Sequence, residues 1–136
     1  MPALDSAGVG AGAGDIVHGG CLCGGVAWHA QGPLFALSHC FCTQCQRQHG
    51  MAGSYGNVAA AGFVIDRGAG LVTEFAKSEK GRCGFCSRCG SMLYWRGVET
   101  PERVAVTLGT LQPAYTGTVT QEMFVEHKPV WLPHGA

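Results

Sequence analysis

HCFCTQCQRQHG, His39–Gly50, sets three cysteines within six residues and follows them with a histidine. Two more stretches carry cysteines at similarly short spacing: GGCLCGG, Gly19–Gly25, with Cys21 and Cys23, and FCSRCGS, Phe85–Ser91, with Cys86 and Cys89. C-x-C and C-x-x-C are metal-ligand spacings rather than bridges across a fold. Residues two apart on an extended chain point to one face, which predicts that Cys21 and Cys23 reach one ion. In C-x-x-C-G a turn sets two sulfurs about one ion, and Gly90 closes it.

The two outer pairs together make a four-sulfur set, and the middle stretch supplies three more. Four thiolates complete a tetrahedral structural site, whereas three leave a position vacant, as catalytic zinc does. This is the simplest partition that shares no ligand, and it predicts two Zn²⁺ per chain. The spacing alone leaves the fourth position open to His49, one helical turn after Cys45, or to His39, which adjoins Cys40 and points the other way. Copper and iron–sulfur ligation satisfy the same thiolates. Cys83 is left over and reads as a small packing residue, with a reactive thiol as the competing role.

Working outward, 136 residues fit one domain with a core of its own. Nine basic and nine acidic residues balance, and seven thiolates with two dications shift the total to about −3. That leaves no basic footprint for nucleic acid. No apolar run approaches the length of a membrane span. The first fifteen residues, MPALDSAGVGAGAGD, lack a secretory pattern and read as a flexible Gly/Ala tail, with a single domain over 16–136. A chain without export signal keeps its thiols reduced, which favours metal over four disulfides and places the protein in the cytoplasm.

Twenty-two glycines between short apolar runs predict an all-β fold. Strands are expected at Gly24–Ala30, Leu34–His39, Tyr55–Ala60, Phe63–Asp66, Leu71–Ala76, Ser91–Arg96, Arg103–Leu108 and Met123–Val125. The one short helix or helical turn is expected at Thr43–His49, capped by Thr43.

GGCLCGGV, HCFCTQCQRQHG, GFCSRCGSMLYW, GTLQP and KPVWL occur in the order and spacing of the glutathione-dependent formaldehyde-activating (GFA) family, which the chain resembles from Val17 to Leu132. The resemblance implies an Mss4-like fold of packed β-sheets. It implies a structural zinc on Cys21, Cys23, Cys86 and Cys89 and a catalytic zinc on Cys40, Cys42 and Cys45. It implies a carbon–sulfur lyase working in the condensing direction, joining formaldehyde to glutathione as S-hydroxymethylglutathione. Gln46 precedes Arg47 where members often carry Cys-Arg, and Glu122-Met123 stands near a family His-Ile pair.

On that reading the open zinc takes the substrate thiol and His49 moves its proton. Arg47 is the foremost contact for the thiol substrate's carboxylates, with Lys77, Arg82, Arg88 and Lys128 as further candidates. Phe41 and Tyr55 are candidate pocket walls. Two alternatives compete: the same open zinc serving another thiol or electrophile, and a non-enzymatic zinc module of the same fold that binds a protein partner.

Overall fold

A computed structural model describes residues 15–113 and 115–133. The segment expected as a tail lies, apart from Asp15, outside the described residues. Ten strands and one helix follow one another as β1 (Ile16–Gly20), β2 (Ala27–Gln31), β3 (Phe35–Cys40), α1 (Thr43–His49), β4 (Gly53–Ala59), β5 (Phe63–Arg67), β6 (Val72–Ala76), β7 (Gly81–Cys86), β8 (Met92–Gly97), β9 (Arg103–Thr107) and β10 (Gln121–Met123). The class is mainly β, as expected.

The strands form two sheets. A three-stranded sheet runs β1-β2-β5, and a seven-stranded sheet runs β10-β3-β4-β9-β8-β7-β6. All pairings are antiparallel except that of β10 with β3. The small sheet packs on one face of the large one. Val17, Val26, Trp28 and Ala30 meet Leu34, Leu37, Val58, Leu93, Tyr94, Val104 and Val106 there. Phe63 bridges the layers, its ring 5.6 Å from Trp28 and 5.7 Å from Tyr94. Fully buried side chains such as Leu93 and Val58 contribute about 1.5–3 kcal/mol each, so the fold has a core independent of any metal.

Two strands, β1 and β7, lie where the sequence predicted none. Each carries a glycine covered by an aromatic ring of its neighbour. Gly19 pairs with Trp28 and Gly84 with Tyr94, and a Cβ at either glycine would run into that ring. The remaining elements fall within a few residues of expectation, β10 being shifted towards the N-terminus.

A bulge in β3 decides what the opposite face of the large sheet carries. Phe35 pairs with Asn57 and Ser38 with Tyr55, so two residues, Ala36 and Leu37, stand opposite Gly56. Ala36 takes a left-handed φ of 52°. The extra residue shifts the alternation by one. Leu37 therefore enters the core, while Cys40 lies opposite Gly53 on the face that bears Tyr55.

Candidate metal centres

The seven cysteines separate into the two expected groups. The sulfurs of Cys21, Cys23, Cys86 and Cys89 all lie within 4.8 Å of one another, and so do those of Cys40, Cys42 and Cys45.

The four-cysteine set joins two loops. Cys21–Gly24 is a turn rather than extended chain: the Gly24 amide donates to the Cys21 carbonyl at 3.1 Å, and Gly24 has φ 78°. The expected strand-like C-x-C geometry is therefore replaced by a turn that the following glycine permits. The partner loop closes in the same way. Gly90, at φ 81°, donates to the Cys86 carbonyl at 2.7 Å. Cys21 and Cys23 sulfurs are 3.6 Å apart, and Cys23 and Cys86 sulfurs 3.9 Å. Four sulfurs about 2.3 Å from a central zinc would sit about 3.8 Å from one another, so a tetrahedral ion fits these two edges closely.

Donors surround this set. The Val26 amide reaches Cys21 at 3.2 Å, the Gly25 amide reaches Cys23 at 3.4 Å, and Arg88 Nε reaches Cys23 at 3.4 Å. Ser91 Oγ lies 3.2 Å from Cys89 Sγ and accepts from the Leu22 amide at 2.9 Å. Ser91 is the main reason that the Cys89 thiol is held down at about 5, and the Gly25 amide, then Arg88, lower Cys23. Thiolates are thereby favoured at Cys23 and Cys89 before any ion binds, whereas burial raises the Cys86 thiol.

The three-cysteine set is built differently. Cys40 ends β3. Cys42 caps α1, its sulfur accepting from the Cys45 amide at 3.4 Å, so the cap is Cys42 and not the expected Thr43. Cys45 is the buried residue of the helix. Gly50 ends the helix at φ 94°. Burial pushes the Cys45 thiol up to about 12. Cys42 goes the other way: burial is outweighed by the Cys45 amide and the adjoining thiols, and its pKa falls. Lys77 Nζ donates to Cys45 Sγ at 3.3 Å.

No His, Cys, Asp or Glu among the described residues joins this trio as a fourth ligand. His39 turns away, as alternation requires, with Nδ1 2.7 Å from Ser54 Oγ. His49 stands beside the cluster instead of in it: Nε2 is 2.8 Å from the Tyr55 hydroxyl. Burial, then Lys77, lowers the His49 pKa, and burial raises that of Tyr55. The pair is therefore a neutral imidazole and a neutral phenol. Gly53 was missed by sequence reasoning and makes this packing possible. A Cβ there would lie 3.0 Å from Cys45 Sγ, 3.1 Å from His49 Cδ2 and 2.8 Å from Tyr55 Cε2.

A cavity of about 440 Å³ adjoins Lys77, with Arg47 and Gln48 from α1 and an apolar floor of Phe75, Phe85 and Met92. A larger one, about 600 Å³, lies beside the four-cysteine set between β1 and the Gly109–Pro113 loop. The smaller cavity is the better candidate for chemistry, because Lys77, which lines it, donates to the three-cysteine cluster.

Of the five expected cations, four are engaged. Lys77 meets Cys45, Arg88 meets Cys23, Arg82 donates to the carbonyls of Ser78, Glu79 and Gly81, and Lys128 pairs with Glu122 above the Phe41 ring. Arg47 alone lines the cavity with no such partner among the described residues. Phe41 is buried packing. Gln46, the departure from the family pattern, donates to the carbonyls of Phe41 and His127, both at 2.7 Å, and so ties the cysteine loop to the segment after β10. Cys83 is fully buried, paired with Phe75 and Trp95, and belongs to neither ligand group.

A family model described as glutathione-dependent formaldehyde-activating enzyme matches residues 16–127. Among solved structures, the chain is similar to a Rhodobacter sphaeroides protein, a Northeast Structural Genomics target. The TM-score is 0.61 at 22% identity, covering 78% of this chain and 99% of that one, a likeness of fold. No curated protein matches it.

Proposed function

The chain belongs to the glutathione-dependent formaldehyde-activating enzyme family, and from that premise we propose that it is a zinc-dependent enzyme that adds a thiol, glutathione foremost, to formaldehyde. The carrying observation is the tri-cysteine cluster with no fourth protein ligand among the described residues, set beside a cavity that holds an unpaired arginine. A zinc ion on Cys40, Cys42 and Cys45 would lower the pKa of an incoming thiol so that its thiolate forms at neutral pH.

The other roles fall to the chain itself. Phe75, Phe85 and Met92 shield the cavity floor, and Arg47 offers a guanidinium to one of glutathione's two carboxylates. In the reaction the sulfur lone pair forms the new S–C bond. The carbonyl π pair moves to oxygen, which takes one proton, while the thiol gives one up. The His49–Tyr55 pair holds that proton in transit: a depressed pKa leaves the imidazole free to accept at neutral pH. A zinc ion on Cys21, Cys23, Cys86 and Cys89 would tie the loop after β1 to β7 and would take no part in the chemistry.

The test combines composition and product. Protein purified without chelator is assayed for zinc per chain, and glutathione with ¹³C-formaldehyde is followed by NMR for S-hydroxymethylglutathione. Two ions, with product forming faster than in the Cys42→Ser variant, support the proposal. Two ions with no acceleration point to another thiol or electrophile, and a single ion to a binding module of the same fold.

A further inference from the structure

Each cysteine cluster has one cation set directly against a sulfur: Arg88 on Cys23 at 3.4 Å and Lys77 on Cys45 at 3.3 Å. Four thiolates about a dication carry −2, which Arg88 brings to −1. Three thiolates about a dication carry −1, which Lys77 brings to zero. One more thiolate would take the second cluster to the net charge of the first.

We propose that Lys77 is the charge-balancing residue of the Cys40–Cys42–Cys45 centre, and that it tunes the vacant position to an anionic sulfur ligand over a neutral donor. The inference rests on the reading that this cluster holds a metal ion.

The surroundings of Lys77 support it. Its backbone is fixed just beyond β6, where its amide donates to the Gly81 carbonyl at 3.1 Å. Its side chain walls the cavity between Phe75 and α1, so the ammonium lies between the cavity and the cluster. The acid three residues earlier on β6, Glu74, is engaged by Arg96 and Tyr94 and does not draw Lys77 away. Arg47 lines the same cavity but touches no sulfur, so the two cations divide the work: Arg47 faces the substrate's carrier and Lys77 faces the ligand shell. An ammonium against a ligand sulfur withdraws charge from it, and groups in that position commonly alter metal affinity by 10–100-fold.

The experiment compares wild type with Lys77→Met, which keeps the stem and removes the charge, and Lys77→Arg, which keeps the charge. Zinc affinity is read by stepwise chelator competition, which resolves two ions per chain. In Lys77→Met the Cys40–Cys42–Cys45 ion should bind about 10–100-fold more weakly, while the other ion is unchanged. Lys77→Arg should recover most of the loss. On Co²⁺-loaded protein, the absorption bands are then titrated with 2-mercaptoethanol, a thiol without carboxylates, and with imidazole, a neutral donor. Lys77→Met should lose about tenfold or more in thiol affinity and little for imidazole. Equal losses for both probes would mark structural damage and overturn the assignment. So would unchanged zinc and thiol affinities in a variant that still binds two ions. A wild-type chain that takes up a single ion overturns this inference and the metal reading together. Failure with glutathione and formaldehyde alone leaves the Lys77 result standing, since neither probe depends on them.

Discussion

The two cysteine clusters use the same ligand in opposite ways. In the four-cysteine set, partners as distant as Cys23 and Cys86 are separated by 63 positions, and both halves sit in loops turned by left-handed glycines. The three-cysteine set spans six residues at the junction of β3 and α1. An ion in the first would close a long loop and restrain the unfolded chain, so its binding energy would be largely folding energy. An ion in the second would constrain a segment that the sheet and helix already hold. Their surroundings differ accordingly. Backbone amides, Ser91 and one exposed cation, Arg88, satisfy the first set. The second is flanked by ionisable side chains, Lys77 on Cys45 and the His49–Tyr55 pair. A cluster finished by backbone is suited to holding shape, and one finished by side chains and a cavity is suited to exchanging a ligand.

The sharpest break in this comparison would come from serine variants. Cys89→Ser should lower the melting temperature by more than about 10 °C, because it leaves a long loop unclipped. Cys42→Ser should empty the open site and abolish turnover while melting within about 3 °C of wild type. Equal melting losses, followed by circular dichroism, would erase the distinction. Gly53→Ala comes next. A methyl 3.0 Å from Cys45 Sγ and 2.8 Å from the Tyr55 ring should cost about 1–3 kcal/mol of stability and weaken metal binding at the open site only, as chelator competition would reveal. Tyr55→Phe removes the hydroxyl on His49. We expect turnover to fall by about tenfold, the equivalent of one hydrogen bond, with two ions retained; loss of metal would place Tyr55 in a structural role.

The smallest effect belongs to a residue remote from both ligand sets. Arg96, against the cost of burial and with help from Tyr94, holds the Glu74 carboxyl down at about 2. Because the folded pKa is depressed, its stabilisation is present above the ordinary 4.5 and is lost as pH falls towards 2. The pair is partly solvent-exposed, so Glu74→Gln should cost at most about 1 kcal/mol. The melting difference between this variant and wild type should be full above pH 4.5 and fade to nothing as the pH falls to about 2, with metal content at neutral pH unchanged.

Much of this was legible in the sequence. The ligand partition, the all-β class and the helix at Thr43–His49 followed from cysteine spacing and short apolar runs. The family followed from motifs spread over most of the chain. What escaped has a common physical cause: it depends on partners far away in sequence. IVHGG and GRCGFC do not read as strands because Gly19 and Gly84 have no side chains, and their packing surface is the ring of Trp28 or Tyr94 on the next strand. Gly53 looks like any loop glycine until Cys45, His49 and Tyr55 converge on it. Lys77 was one of five similar cations, and only the fold sets it against a sulfur.

The bulge at Ala36 divides β3 into a stretch whose length is free and a stretch whose length is fixed. Deleting Ala36 would leave Phe35 opposite Asn57, Leu37 opposite Gly56 and Cys40 opposite Gly53, an unbroken ladder with Cys40 still on the face of Tyr55. Deleting one residue between Ser38 and Cys40 would instead bring Cys40 opposite Ser54, pointing it towards the hydrophobic layer, with all seven cysteines still present in the sequence. Such a chain should bind one ion instead of two. A homologue with all seven cysteines and a β3 shortened beyond the bulge should therefore be suspected of having lost the second centre by a change in frame of the pleat, one that a comparison of ligand residues alone would pass over.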